Sequence, residues 1–421
     1  MDNLQSHVYE QTLCRVCDST KLEQVMTLGD QPISDFIDDK EISPYAGLSA
    51  PLTLVLCNPE EGGCGLLQMS HTVNRELLFK KYWYKSGMND TMRSALESIA
   101  KKAEKAVPLS DGDIVMDIGC NDGTLLRGYD LNLVTVGFEP TTNLLSEARK
   151  ENSLIINDFF NHKVFNEHFP ERRAKCITSI AMFYSVEKPN LFVSDIAKCL
   201  DPEGVWIIQM MYLPSMLKTN NFDNICHEHL EYYGLKSLEN LVERHGLSVV
   251  DVELNEIYGG SFRVYIRNSL RNYPKSVATL DLEEFEEKLG LETTEIYIEF
   301  ARQIEKIKQQ VVSFIEQEVK KGKTVYIYGA STKGNVILQY FGLDHKLLKA
   351  AAERNPDKWG KKTVQTKIPI ISEKQARSEK PDYFLVLPWA FIEEFKRREK
   401  DFLDNGGKFI VPLPKFKIIG R

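Results

Sequence analysis

The 421-residue chain has no run of the ~18 apolar residues that a membrane span requires. Its opening stretch, MDNLQSHVYEQT, has no apolar signal core. These absences predict a soluble, cytoplasmic protein with no membrane partner. Positive charge is not in excess either: 53 Lys and Arg stand against 60 Asp and Glu, a net of −7. No footprint for nucleic acid is therefore visible at the level of the whole chain, and any anionic ligand must be held locally. Cysteine is sparse, since eight thiols in such a length are too few for a disulfide scaffold. A reducing compartment fits. Three motifs are also missing: the G-x-G-x-x-G nicotinamide loop, the Walker G-x4-G-K-[ST] loop and the helical zinc motif H-E-x-x-H.

Four of the thiols that are present fall early and in pairs. Cys14 and Cys17 form C-x2-C, and Cys57 and Cys64 form a looser pair in LCNPEEGGCGLLQ, where Gly62, Gly63 and Gly65 permit a tight turn around sulfur. Two such knuckles suit tetrahedral Zn2+. Four thiolates leave no position open for water or substrate, so the expected zinc is structural and braces a segment with few apolar residues of its own.

Residues 113–126, DIVMDIGCNDGTLL, read as a strand, a nucleotide loop and the start of a helix. The loop runs D-x-G-x-N-x-G from Asp117 through Gly119 and Asn121 to Gly123. A second strand, LVTVGFEP, ends on Glu139, about 20 residues past the loop, where a carboxylate can accept from both ribose hydroxyls. With no pyrophosphate pattern, the ligand expected is S-adenosylmethionine. Asp158 and Phe159 follow a third strand, LIINDFF, and suit the edge and face of an adenine.

The stretch FDNICHEHLEYYG, residues 222–234, sets His227 and His229 around Glu228. On a strand the two histidines would share one face, but no third ligand cluster offers itself for a metal. Two readings stand: a polar strand end without chemistry, or a base. Methyl transfer to carbon requires a C–H proton to leave first. A neutral imidazole with a pKa near ~6.5 can take one acidified by a neighbouring ketone while hydrogen-bond donors hold the enolate oxygen.

Farther on, apolar residues from Ile296 through Phe300, Ile304, Ile307 and Val311 to Ile315 recur at helical steps, with Gly290 expected to break the stretch 281–322 in two. TVYIYGASTKGN then repeats the strand, glycine turn and helix pattern, predicting a second Rossmann-like unit. Ser331, Lys333 and Asn335 gather near that helix start, which suits phosphate. A tight packing turn is the other reading.

Taken in order, the cysteine knuckles, GCNDG, YWYKSGMND, CHEHLEYY and GASTKGN resemble the C-methyltransferases that act on nucleotide-linked keto-deoxysugars. The resemblance runs from about Cys14 to Pro414. It implies an α/β protein of three domains: a zinc-binding domain at 1–78, an S-adenosylmethionine-binding Rossmann domain at 79–270, and a Rossmann-like α/β domain at 271–421 that helps hold the nucleotide sugar. By the family's pattern His229 is the base and Glu228 its helper, with His227 structural. Tyr82 and Tyr84 would form a lid over the sugar, or an aromatic linker packing the domains together. Cys226 stands against the sugar where relatives often carry a tyrosine, and a thiol is a weak donor that cannot replace a phenol at an enolate oxygen. Lys333 and Asn335, with Ser331, would meet the diphosphate or adjacent sugar. Methylation of a sugar hydroxyl or amine, and a non-catalytic zinc-dependent binding module, are the alternatives to C-methylation.

Overall fold

In a computed structural model of the chain, residues 7–38, 47–79, 83–88, 90–129 and 132–420 are described. A seven-stranded sheet forms its centre, in the order Leu247–Asn255, Ser261–Asn268, Leu200–Met211, Ala174–Ile180, Ile114–Ile118, Val134–Phe138, Leu154–Ile156. Only Ser261–Asn268 runs against its neighbours. Every residue of Ile114–Ile118 is buried, as expected for a central parallel strand covered on both faces. The carboxyl ends of these strands carry the glycine loop, Glu139 and Asp158, so the ligand crevice lies where an open parallel sheet puts it.

One expectation fails beside that loop. No α-helix follows it: the chain makes a single 3-10 turn at Leu126–Gly128. The helical layer there is filled by Asp90–Ala106, which precedes the sheet in sequence and buries Leu96, Ile99, Ala100 and Ala103. A Cβ on Gly128 would lie 3.0 Å from that of Ala100, so the turn is pressed flat under a helix already in place.

The N-terminal region contributes an antiparallel sheet in the order Glu231–Tyr232, Leu67–Met69, Ser49–Cys57, Leu22–Pro32. Its first strand comes from the far end of the HEH stretch. The C-terminal region forms a six-stranded sheet, Ile370–Ser372, Ala351–Glu353, Val325–Tyr328, Tyr383–Val386, Lys408–Val411, Lys417–Ile419, parallel except for the last strand. The long amphipathic stretch is two helices, Val277–Leu289 and Glu295–Lys320, separated at Gly290. The second buries Phe300, Ile304, Ile307, Val311 and Ile315, each contributing about 1.5–3 kcal/mol by leaving water. That stripe belongs to one core shared by the N-terminal and C-terminal sheets, and Phe36–Ile37 pairs antiparallel with Lys362–Thr363 across them. The four ligand-type cysteines face the other way: Cys14, Val16, Cys57 and Leu66 pack into the core of the seven-stranded sheet.

Candidate active site and metal centre

The metal centre follows from two turns. The Sγ atoms of Cys14, Cys17, Cys57 and Cys64 all lie within 4.8 Å of one another, with Cys14–Cys64 and Cys17–Cys57 at 3.5 Å. A tetrahedron with metal–sulfur distances of about 2.3 Å has sulfur–sulfur edges of about 3.8 Å, so the four thiols fit Zn2+. The second knuckle closes because position 63 is glycine: a Cβ there would lie 2.7 Å from the Cys57 sulfur and 2.6 Å from the Asn58 carbonyl. Nothing in this shell opens to a substrate, and the zinc is structural. The first knuckle is riveted to the helix Pro189–Cys199, whose Asn190 Nδ2 donates to the carbonyls of Arg15 and Val16 at 3.0 and 2.9 Å.

A cavity of about 330 Å³ opens at the carboxyl end of the seven-stranded sheet and extends to the HEH turn and the start of the helix Thr332–Phe341. At its cofactor end, Gly119 sits at φ +71° and a Cβ would press within 3.2 Å of Met182, a bare backbone turn of the kind a nucleoside approaches. Glu139 is buried at the strand end, where its two carboxylate oxygens accept from the backbone amides of Asn121 and Thr141, each at 2.8 Å. Burial pushes its carboxyl up from the ordinary range, and the bonds from Thr141 and Asn121 oppose that. Asp117 accepts from Thr178 Oγ1 at 2.6 Å, and burial pushes it up to about 7. Asp158 and Phe159 line the same wall, and the Arg75 guanidinium lies 4.2 Å over the Phe159 ring, covering one face. A buried carboxylate at the strand end, an apolar ring and a bare glycine turn fit S-adenosylmethionine.

Asn121 works as a clamp. Its side chain accepts from Ser86 N at 3.0 Å and donates to Tyr84 O at 3.1 Å, tying the KSG segment onto the loop. Gly123 does not line the cavity. It allows close packing, since a Cβ there would lie 2.9 Å from the Ala148 carbonyl.

At the other end, HEH lies in a turn and not on a strand: only Glu231 and Tyr232 pair, with Gln68 and Leu67. The histidines therefore diverge. His227 turns to the N-terminal sheet, its Nε2 3.1 Å from the Ala50 carbonyl, and burial pushes its pKa down to about 4. His229 lines the cavity. Its Nδ1 is 2.8 Å from the Asn224 carbonyl, which can only accept, so Nδ1 carries the hydrogen and Nε2 is left as the acceptor. The ring packs against Tyr184 with centroids 4.2 Å apart. Burial, with the Lys333 charge adding to it, pushes the imidazole down to about 3. Glu228 and Cys226 line the same end. Burial pushes both groups up, and Glu228 Oε2 has no hydrogen-bond partner among the described residues.

Of the remaining sequence-derived residues, Tyr84 reaches the cavity and its hydroxyl is 3.2 Å from that of Tyr258. Tyr82 lies outside the described residues. Ser331 caps the helix Thr332–Phe341 by accepting from Gly334 N at 2.9 Å, and it lines the cavity with Lys333. Asn335 does not. It is buried, and its Nδ2 reaches toward the Asp35 carbonyl at 3.4 Å, because two residues past Lys333 put it on the opposite side of the helix, toward the N-terminal sheet. Sequence reasoning passed over Asp223, Tyr184, Tyr258 and Trp389, which also line the cavity. Asp223 is buried with its carboxyl pushed up to about 6. Tyr258 holds a left-handed φ of +57°, and the Tyr-Gly-Gly turn at a sheet end was the available signal for it.

Three family models match in succession: a zinc binding domain over residues 14–79, a methyltransferase domain over 84–252 and a C-methyltransferase C-terminal domain over 256–414. The C-methyltransferase NovU of Streptomyces niveus is 31% identical over 409 residues, spanning 96% of each chain. Among solved structures, an S-adenosylmethionine-dependent methyltransferase from Clostridium acetobutylicum is 12% identical over 43% of this chain and 93% of its own, at a TM-score of 0.33. The N-methyltransferase NodS from Bradyrhizobium japonicum is 10% identical over 43% of this chain and 97% of its own, also at 0.33. Nothing here rests on those two likenesses. No helix among the described residues is long and apolar enough to cross a membrane. With the metal shell, the cofactor crevice and a full-length relative in agreement, the chain belongs to the S-adenosylmethionine-dependent C-methyltransferases that join a zinc-binding segment, a methyltransferase domain and a C-methyltransferase C-terminal domain.

Proposed function

We propose that the substrate is a nucleotide-linked keto-deoxysugar and that His229 removes the proton on the carbon next to its ketone. The observation that carries this reading is the fixed tautomer of His229: the Asn224 carbonyl holds Nδ1, leaving Nε2 as a proton acceptor in the cavity that Glu139 and Gly119 also line. S-adenosylmethionine supplies, when bound, an electrophilic methyl group. Glu139 and Asp158 would hold its nucleoside end, and the wall formed by Phe159 and Phe160 keeps water from it. Glu228, buried beside the base, would steer the imidazole or pass on its proton. Methylation of oxygen or nitrogen needs no carbanion, and so no base poised beside a ketone.

The units we propose are 1–78, 79–270 and 271–421, supported by the three largest sheets, each drawn mainly from one of them, and by the three matched spans. We also propose a cytoplasmic site of action, where a reducing medium keeps the four ligand thiols available to zinc. The test is incubation with methyl-labelled S-adenosylmethionine and a panel of nucleotide-linked 4-keto sugars, followed by locating the label. Label on carbon next to the ketone is the expected result. Label on oxygen or nitrogen, or no transfer to any sugar of the panel, would overturn the proposal.

A further inference from the structure

We infer that Lys333 is a catalytic residue, whose ammonium group donates to the ketone oxygen of the substrate and holds the negative charge that appears there when the neighbouring proton leaves. The inference rests on the reading of His229 as base. It replaces the diphosphate contact that the glycine turn suggests, and it answers what stands in for the phenol absent at Cys226.

The geometry is that of a cation turned inward. Lys333 begins the helix Thr332–Phe341, but its Nζ donates to the side chain of Asn224, the residue whose backbone carbonyl fixes His229 Nδ1 at 2.8 Å. One asparagine thus sets both the electrophile and the base. The ammonium also lies 5.3 Å from the centre of the Tyr258 ring, a position that favours a cation. Asn224 is its one hydrogen-bond partner among the described residues, and an ammonium has three N–H groups, so donors remain for a ligand in the cavity that Lys333 lines.

The surroundings decide between the two anions. The charge of Lys333 acts on Asp223, Cys226, Glu228 and His229 together. A diphosphate brought to this ammonium would bring two negative charges against two buried carboxyl groups. A ketone arrives neutral, and only one charge develops on its oxygen, which a single fixed cation stabilises best. In the step itself His229 Nε2 takes the proton, and the C–H electron pair becomes the carbon–carbon double bond. The carbonyl π pair moves onto the oxygen facing Lys333. Cys226 beside it is pushed well up by burial and stays a thiol.

The test compares Lys333→Met with His229→Ala in the full chain, by exchange of the substrate's C–H with deuterated solvent in the absence of S-adenosylmethionine and by turnover in its presence. Loss of a fixed donor to an oxyanion costs about 10²- to 10³-fold. Lys333→Met should therefore lose exchange and kcat together by that factor, while the KM for the nucleotide sugar moves by less than about 3-fold, as expected for an interaction made at the transition state. A KM raised 10-fold or more with kcat retained, or exchange at the parent rate, overturns the inference in favour of a diphosphate contact. Should His229→Ala keep its exchange while Lys333→Met loses it, the base lies elsewhere and Lys333 stands; the opposite pattern removes Lys333 and leaves the base. Calorimetric binding of S-adenosylmethionine checks the fold of each variant. If Lys333→Met fails that check, Lys333→Gln is read by the same criteria.

Discussion

Glu139 offers a perturbation whose size can be worked from its contacts. Its two carboxylate oxygens each accept a backbone amide at 2.8 Å, from Asn121 in the glycine loop and from Thr141 beyond the strand. Replacement by alanine removes the acceptor proposed for the ribose and also strands those two amides. Each buried unsatisfied donor costs about 1–3 kcal/mol, so Glu139→Ala should lower stability by roughly 2–4 kcal/mol once water reaches the vacated space. A pair of charge-assisted bonds to the ribose is worth about 1.5–3 kcal/mol in binding, which is about a 10- to 150-fold rise in the Kd for S-adenosylmethionine. Glu139→Gln separates the two effects: its carbonyl keeps one amide, while its NH2 faces the other amide and turns a donor to it. Stability should therefore recover by about half of the loss, with affinity still reduced. Titration calorimetry and urea unfolding read both quantities. Parent affinity in Glu139→Ala, in a protein whose urea midpoint has fallen, would show that the carboxylate braces the loop and does not touch the cofactor.

The zinc shell predicts one tightly held zinc per chain, with Cys14→Ser damaging folding before chemistry; elemental analysis of folded protein without zinc removes that expectation. His229→Ala should lose about 10²- to 10⁴-fold in turnover while keeping its affinity for S-adenosylmethionine, whereas His227→Ala, which loses a bond to Ala50 away from the cavity, should act on stability; equal turnover losses in the two variants count against the assignment. Burial lowers His227 to about 4 and His229 to about 3, so both rings should stay neutral at pH 5.5 by nitrogen NMR. In the unfolded chain both bind protons below about 6.5, so their contribution to stability is present above that pH and is lost as the medium falls toward pH 3. A ring that titrates near 6.5 in the folded protein contradicts its burial.

The cofactor end was legible because its parts are local: loop, strand end and carboxylate follow one another within a single α/β repeat, and their chemistry survives reading as a string. The base end was legible only in its histidines. Their divergence was not, because it depends on two strand residues, Glu231 and Tyr232, pairing with Leu67 and Gln68 far away in sequence. Asp223 and Asn224 lie in the very stretch that drew notice, yet their roles come from Lys333, more than a hundred positions away, and from Trp389. The helix expected after the glycine loop was misread for the same reason. A flat turn suffices where a helix from an earlier segment already fills the layer. Asn335 shows the limit of proximity in sequence, since a step of two residues from Lys333 takes it round the helix from the cavity to a domain contact.

The peptide groups flanking Leu230 have a mechanical consequence. Its carbonyl accepts from Met69 N at 2.8 Å in the zinc-braced sheet, and its amide donates to the Tyr184 carbonyl at 2.7 Å in the methyltransferase core. A single residue next to His229 is thus pinned to both bodies, and the buried pair of Arg15 with Glu231, at 3.5 Å, reinforces the first of these attachments. His229 cannot follow one body without straining against the other, so the metal knuckle and the cofactor sheet act as the two jaws of a fixed vice around it.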